Sequence, residues 1–153
     1  MATPDFVLAL REKVGTSPLW LCGVTAVVVK DDDVLLVRRA DNGAWTPVTG
    51  IVDPGEHPAT AAAREVLEEA ALEAECTRLA RVGVTAMVTY DNGDQTQYVD
   101  LTFRLEWRSG DPHPADGENT EARWFSPGAL PAMSDDMAAR VAAALPQRGE
   151  TLF

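Results

Sequence analysis

The sequence predicts an α/β fold in which a mixed β-sheet is flanked by helices. Runs rich in β-branched residues and bounded by turn residues read as strands, and they lie on both sides of an unbroken helical segment. A second helical segment follows, so the order is strands, helix, strands, helix, without the regular strand and crossover-helix alternation of an all-parallel sheet. With 153 residues and 46% hydrophobic content, the chain can bury one core without disulfide or metal staples. We expect a single domain over residues 1–153, with residues 1–20 forming an N-terminal helix and linker.

Taken in order, Thr3 before Pro4 reads as a helix cap and Gly15 as a stop, giving a short amphipathic helix. Residues 17–21 read as a linker carrying Trp20, and residues 23–30 as a strand. The solvated turn Asp31, Asp32, Asp33 leads into a second strand, residues 34–39, which ends in Arg38 and Arg39. Asp41, Asn42 and Gly43 mark a turn before Trp45 and Pro47. His57 and Pro58 sit at the cap and first position of a helix that meets no breaker up to Ala71. Residues 75–90 and 95–107 read as a long hairpin about Asp91, Asn92, Gly93 and Asp94, whose Asn-Gly is a strong turn signal. Residues 108–120 form a polar Pro/Gly loop containing Glu118, of a length often tied to function. Residues 123–125 can add a short strand. Ser134 caps a last helix whose first turn holds Asp135 and Asp136, matching the helix dipole, and Pro146 ends it.

The 24 acidic residues against 13 basic ones give a formal charge of −11, which disfavours a duplex nucleic-acid partner or an anionic membrane surface. An anionic substrate therefore needs cations. Cys22 and Cys76 are too few for a disulfide framework and read as core thiols of a reduced, cytoplasmic protein. The first fifteen residues contain no apolar run long enough for a signal peptide or membrane span.

The most informative stretch is residues 50–72, GIVDPGEHPATAAAREVLEEAAL. At about 100° per residue, Glu65, Glu68 and Glu69 fall within an arc of roughly 100°, while Ala63, Val66, Leu67 and Ala70 fall on the far side. Like charges so close raise one another's pKa unless a cation intervenes, and hard oxygen ligands in this number suit Mg²⁺ or Mn²⁺. Arg64 can pair with Glu68 at i,i+4, and Glu56 can reach back to Arg64 or to the ions.

Gly50, five residues, Glu56, seven residues, then Arg64, Glu65, Val66, Leu67, Glu68, Glu69, Ala70, Ala71 and Leu72 resemble the box of the Nudix (MutT-like) hydrolase family. The match departs at two positions: the family's second glycine is Ala71, and its usual Ser or Thr cap is His57. The resemblance implies an αβα sandwich and metal-dependent hydrolysis of the diphosphate linkage in a nucleoside diphosphate derivative, a small-molecule substrate. It implies that Glu65, Glu68 and Glu69 ligate Mg²⁺ or Mn²⁺, with the Gly50 carbonyl as a further ligand. The number of ions stays open.

The general base is one of these glutamates or one outside the box. Glu118 and Glu121, six and three residues before Trp124, are the outside candidates, and Glu118 is favoured as base and ligand because its position resembles an outside metal-binding Glu of some members. For substrate binding, Arg38 or Arg39 can hold phosphate, and Trp45 or Tyr90 can stack on a base. A (d)NTP and a dinucleoside polyphosphate are the leading substrates, the latter because Tyr90 lies eighteen residues past Leu72. ADP-ribose or another nucleotide sugar is the alternative, and removal of pyrophosphate from RNA 5′ ends is a weaker one. A silent nucleotide-sensing or protein-binding domain is the rival of another class. Family members often form homodimers, and Phe6 or Leu10 on the first helix would offer a contact.

Overall fold

Strand composition and turn chemistry place the elements, and a computed structural model describes residues 3–153; residues 1 and 2 of the expected domain lie outside the described residues. Helix α1 (Asp5–Val14) precedes strands β1 (Leu19–Lys30), β2 (Asp33–Arg39), β3 (Trp45–Thr46) and β4 (Val48–Ile51). Helix α2 (Pro58–Ala70) then leads to β5 (Glu73–Val84), β6 (Val88–Thr89), β7 (Gln95–Ser109) and β8 (Asn119–Phe125), and α3 (Asp135–Ala144) follows a single 3-10 turn, Pro127–Ala129. The strands make one mixed sheet in the order β3-β2-β1-β7-β5, with β4 on β1, β6 on β7 and β8 on β2. β1 and β7 run parallel from Leu19 opposite Thr96 to Val29 opposite Glu106, and the other pairs are antiparallel.

Side chains alternate across the strands, and this sorts the core into two layers. Val24, Ala26, Val28, Leu35 and Val37 face α2 and pack on Ala61, Ala62, Val66 and Ala70. Val27, Val34 and Leu36 face α3 and pack on Val141, Ala143 and Ala144. Val7 of α1 packs on Leu21 and Ile51, with Phe6, Leu19 and Tyr98 beside them. The fold is thus α/β with helices on both faces of a mixed sheet.

Several boundaries differ from those expected. Pro4, not Thr3, is the cap of α1, and Pro4 makes no side-chain cap bond. β1 starts at Leu19, so residues 19–21 of the expected linker are strand, and Trp20 is 59% exposed. The segment 75–90 splits at residues 85–87, where the Thr85 hydroxyl accepts from the Tyr98 amide and its carbonyl from the Gln97 side chain. The turn at Gly93, φ +87°, closes the hairpin as expected, with Tyr90 N donating to Asp94 O at 2.9 Å. β8 begins at Asn119, so the polar loop ends at Glu118. Both cysteines are free and half-buried, and burial raises both thiol pKa values. Among the described residues no helix is long and apolar enough to cross a membrane.

Candidate active site

The site is built on α2. His57 holds the N-cap position in extended backbone without a side-chain bond, and Pro58 opens the first turn. At the other end Ala71 adopts the left-handed conformation, φ 56° and ψ 32°, and its N–H closes on Leu67 O at 3.1 Å. A glycine would take that conformation without a Cβ penalty, so the helix ends at the residue where the box departs from its usual pattern.

Helix periodicity groups the glutamates, but the rotation of the helix differs from that expected. The supporting face is Ala61, Ala62, Val66 and Ala70, while Leu67 is 53% exposed and Ala63 half-buried. Glu65 and Glu69 belong to the buried side, at 1% and 5% exposure, and Glu68 stands in solvent. Burial raises the Glu65 pKa to about 7; Arg64 opposes the shift, and Glu69 and Glu68 add to it. Burial also raises that of Glu69, against a hydrogen bond from Asn119.

Gly50 of β4 passes under the Glu65 side chain so closely that a Cβ at Gly50 would lie 2.2 Å from the Glu65 carboxyl carbon. Arg64 ties the surroundings together. Its guanidinium donates to Glu56 Oε1 at 2.8 Å and Oε2 at 3.0 Å, to Glu65 Oε1 at 3.0 Å, to Glu68 Oε2 at 3.2 Å and to Ile51 O at 3.2 Å. The hydrogen bond to Arg64 is the main reason the Glu56 pKa falls below the usual range, and the Arg64 pKa rises in turn. Both ion pairs expected of Arg64, with Glu56 and with Glu68, are formed.

The polar loop is fastened to the end of α2. His113 N donates to Ala70 O at 3.2 Å and Ala115 N to Glu69 O at 3.1 Å, so the loop satisfies carbonyls that the helix end leaves open. This brings Glu118 to the wall of two hollows. One, of about 530 Å³, is lined by Gly50, Glu69, Arg39 and Tyr90 among others. The second, of about 370 Å³, is lined by Arg64, Glu65, Glu68 and Asp53.

Glu121 faces elsewhere, paired with Arg38 at 3.0 Å and with Arg123. Strand alternation thus separates the two arginines at the end of β2: Arg38 joins Glu121, while Arg39, held by Asp41 at 3.0 and 2.6 Å, borders the larger cleft. Tyr90 is there too, its hydroxyl 2.9 Å from that of Tyr98. Trp45 is not brought to the cleft. It packs edge-on against Phe125, centroids 5.0 Å apart, in the core layer under α3. Met87 is exposed at the cleft rim.

Asn119 is a site residue that sequence reasoning missed. Its side-chain amide donates to Glu69 Oε2 at 2.9 Å, and both groups are buried. The two are fifty residues apart, and an asparagine at the end of a polar loop carries no local pattern.

The donor chemistry fits a hard dication: acceptor-only carboxylates of Glu65 and Glu69 lie under the surface, where an ionised carboxylate needs a positive partner. Among the described residues, no three acidic, cysteine or histidine side chains are drawn into ligand geometry. Arg64 holds Glu65 and Glu68 in the arrangement seen.

A family model for the NUDIX domain matches residues 21–147. A MutT-like protein of Streptomyces ambofaciens is 35% identical over 117 residues, covering 76% of this chain and 70% of the relative. A putative 8-oxo-dGTP diphosphatase of Bacillus subtilis (strain 168) is 34% identical over 106 residues, and the match covers 69% of this chain and 65% of that relative. Among solved structures, an ADP-ribose pyrophosphatase from Streptococcus suis 89-1591 shares the fold with a TM-score of 0.69 at 22% identity, covering 87% of this chain and 98% of that one.

Proposed function

The chain belongs to the Nudix family of hydrolases, and from that premise we propose that it cleaves the diphosphate linkage of a nucleoside diphosphate derivative, a (d)NTP or a dinucleoside polyphosphate, with Mg²⁺ or Mn²⁺. The observation that carries the reading is the burial of Glu65 and Glu69 beside Gly50 and Arg64, next to a cleft of nucleotide size. The triphosphate reading draws support from the name of the Bacillus relative.

In this reading Glu65, Glu68, Glu69 and the Gly50 carbonyl hold the dication. Once bound, it would neutralise charge on phosphate oxygens and lower the pKa of the attacking water. Arg64 fixes the orientation of Glu65 and Glu68, and Asn119 that of Glu69. Glu118, on the wall between the two hollows, accepts the proton of the attacking water. Arg39 and Tyr90 both line the larger cleft, which supports reading Arg39 as the phosphate-binding arginine and Tyr90 as the aromatic that stacks on a base. A homodimer is a further proposal: Leu10 is exposed on α1, whereas Phe6 packs within its own chain, and gel filtration decides it.

The test is a nucleotide panel assayed for released phosphate and pyrophosphate, with Mg²⁺ or with EDTA. The reading expects turnover of a nucleoside triphosphate or dinucleoside polyphosphate that EDTA abolishes. Equal turnover with EDTA, or none with any nucleotide, refutes it.

A further inference from the structure

Glu118 closes a polar loop, residues 108–118, and segments of that length and composition are ordinarily the mobile parts of a domain. A base supplied by such a loop needs its backbone held, because a shift of about an ångström in a reacting group costs about 100-fold in rate. This loop is held at successive points along the end of α2. Gly110, φ +96°, lies so close to the helix end that a Cβ there would come 2.7 Å from Ala71 O. His113 N and Ala115 N donate to Ala70 O and Glu69 O, so the loop follows α2 backward from Ala71 to Glu69.

Glu118 itself is held on both sides of its Cα. Its carbonyl accepts from Ala40 N at 2.8 Å, one residue beyond the pairing of Arg39 with Asn119 that starts β8. Its N–H donates to Asp116 Oδ1 at 3.0 Å. An aspartate that accepts from the amide two residues on imitates a backbone turn. Gly117 between them has φ +87°, and a Cβ there would meet nothing within 4 Å, so no packing around Gly117 supports the turn. Asp116 is therefore the contact that sets the N-terminal side of Glu118. It also lines the smaller hollow with Glu65, Glu68 and Glu118.

Resting on the reading of Glu118 as the base, we propose that Asp116 is a positioning residue for the hydrolysis: its hydrogen bond to the Glu118 amide fixes where the Glu118 carboxylate stands between the two hollows. The role belongs to the side-chain oxygen as an acceptor and not to its charge. Without the bond the peptide between Gly117 and Glu118 is free to rotate, since glycine accepts either sign of φ. Ala40 still holds the Glu118 carbonyl and α2 still holds the loop, so the loss falls on the direction of one side chain. Binding of the ion and of the substrate, which this reading assigns to α2 and Arg39, is left in place.

The experiment measures kcat and KM with Mg²⁺ for wild type, Asp116→Ala, Asp116→Asn, Glu118→Gln and the double variant Asp116→Ala with Glu118→Gln, after circular dichroism shows each folded. The substrate is whichever of dGTP and diadenosine tetraphosphate the wild type cleaves faster. Asp116 is exposed, so these replacements leave the core untouched. Asp116→Ala should lower kcat about tenfold or more with KM changed far less. Asp116→Asn, whose amide oxygen accepts the same bond, should keep kcat within a few-fold of wild type. Glu118→Gln should lower kcat about 100-fold or more, and adding Asp116→Ala to it should lower kcat no further. Asp116→Ala with kcat intact, Asp116→Asn as slow as Asp116→Ala, or a loss that adds in full to that of Glu118→Gln overturns the inference alone. Glu118→Gln at the wild-type rate removes Glu118 as base and the inference with it, while the hydrolase reading stands. A wild type that cleaves neither compound overturns both.

Discussion

Gly50 and Glu65 occupy each other's space: a Cβ on Gly50 would fall 2.2 Å from the Glu65 carboxyl carbon, nearer than real Cβ atoms approach any atom. The glycine is therefore what allows the most buried carboxylate of the site to lie over β4. Gly50→Ala should displace Glu65. Turnover should fall about 100-fold, the cost of misplacing a catalytic group by about an ångström, with a stability loss of about 1–3 kcal/mol from overpacking. Steady-state kinetics and thermal denaturation check this. Unchanged turnover would mean that Glu65 is not held by this contact.

Arg64 provides charge for three glutamates and a hydrogen bond for the Ile51 carbonyl. Arg64→Ala leaves Glu65 buried with its main ion pair removed, so the metal-free protein should lose about 2 kcal/mol. This is less than the full cost of breaking a buried pair, because the guanidinium side chain is 30% exposed. Arg64→Lys should recover only part, since an ammonium cannot reproduce the fork on Glu56. Urea unfolding of the two variants measures the order.

The Glu65 pKa of about 7 has a defined consequence for stability. A carboxyl whose folded pKa lies above its unfolded value binds more protons when folded, so stability declines as pH rises from the ordinary glutamate range to about 7. Glu69 is shifted in the same direction. Glu56, lowered by Arg64, acts oppositely, and its contribution is lost only as pH falls below the ordinary carboxylate range. EDTA-treated protein should therefore lose thermal stability between about pH 5 and about pH 8, and Mg²⁺ or Mn²⁺ should restore more at the upper value. An equal effect of the ion at both values would contradict the assignment of the buried glutamates to the metal.

Ala71 holds the left-handed position at the end of α2. Ala71→Gly removes a conformational penalty of roughly 1 kcal/mol, partly offset by the entropy of a new glycine. The midpoint of unfolding should rise by about 2–4 °C at most, with kcat unchanged. A lower midpoint would show that the Ala71 methyl packs more favourably than its backbone costs.

The parts of this molecule that the sequence made legible are those with short-range spacing. The Gly50, Glu56, Arg64 and Glu65 to Glu69 pattern is local, and it located α2, its partners and the ion pairs of Arg64. Periodicity could not say which way the helix is turned, because an arc of three glutamates looks alike whether it faces water or lies under a strand. Leu67 was therefore placed inside and is outside. β3 and β4 are two and four residues long and show no alternation to read. Arg38 and Arg39 are adjacent in the chain, and only the sheet shows that they part company at Glu121 and the cleft. Asn119 reaches Glu69 across fifty residues, a contact made by the loop docking on the end of α2 and not by any motif.

The most direct measurement is the turnover of Glu69→Gln against wild type at saturating Mg²⁺. Glu69 is buried, supported by Asn119, and part of the larger cleft. If it is a metal ligand, replacing its carboxylate by an amide should lower kcat by about 1,000-fold or more, while the metal-free protein stays folded and at least as stable, because a buried charge has been removed. Turnover within a few-fold of wild type would contradict the account and place the chemistry somewhere other than α2.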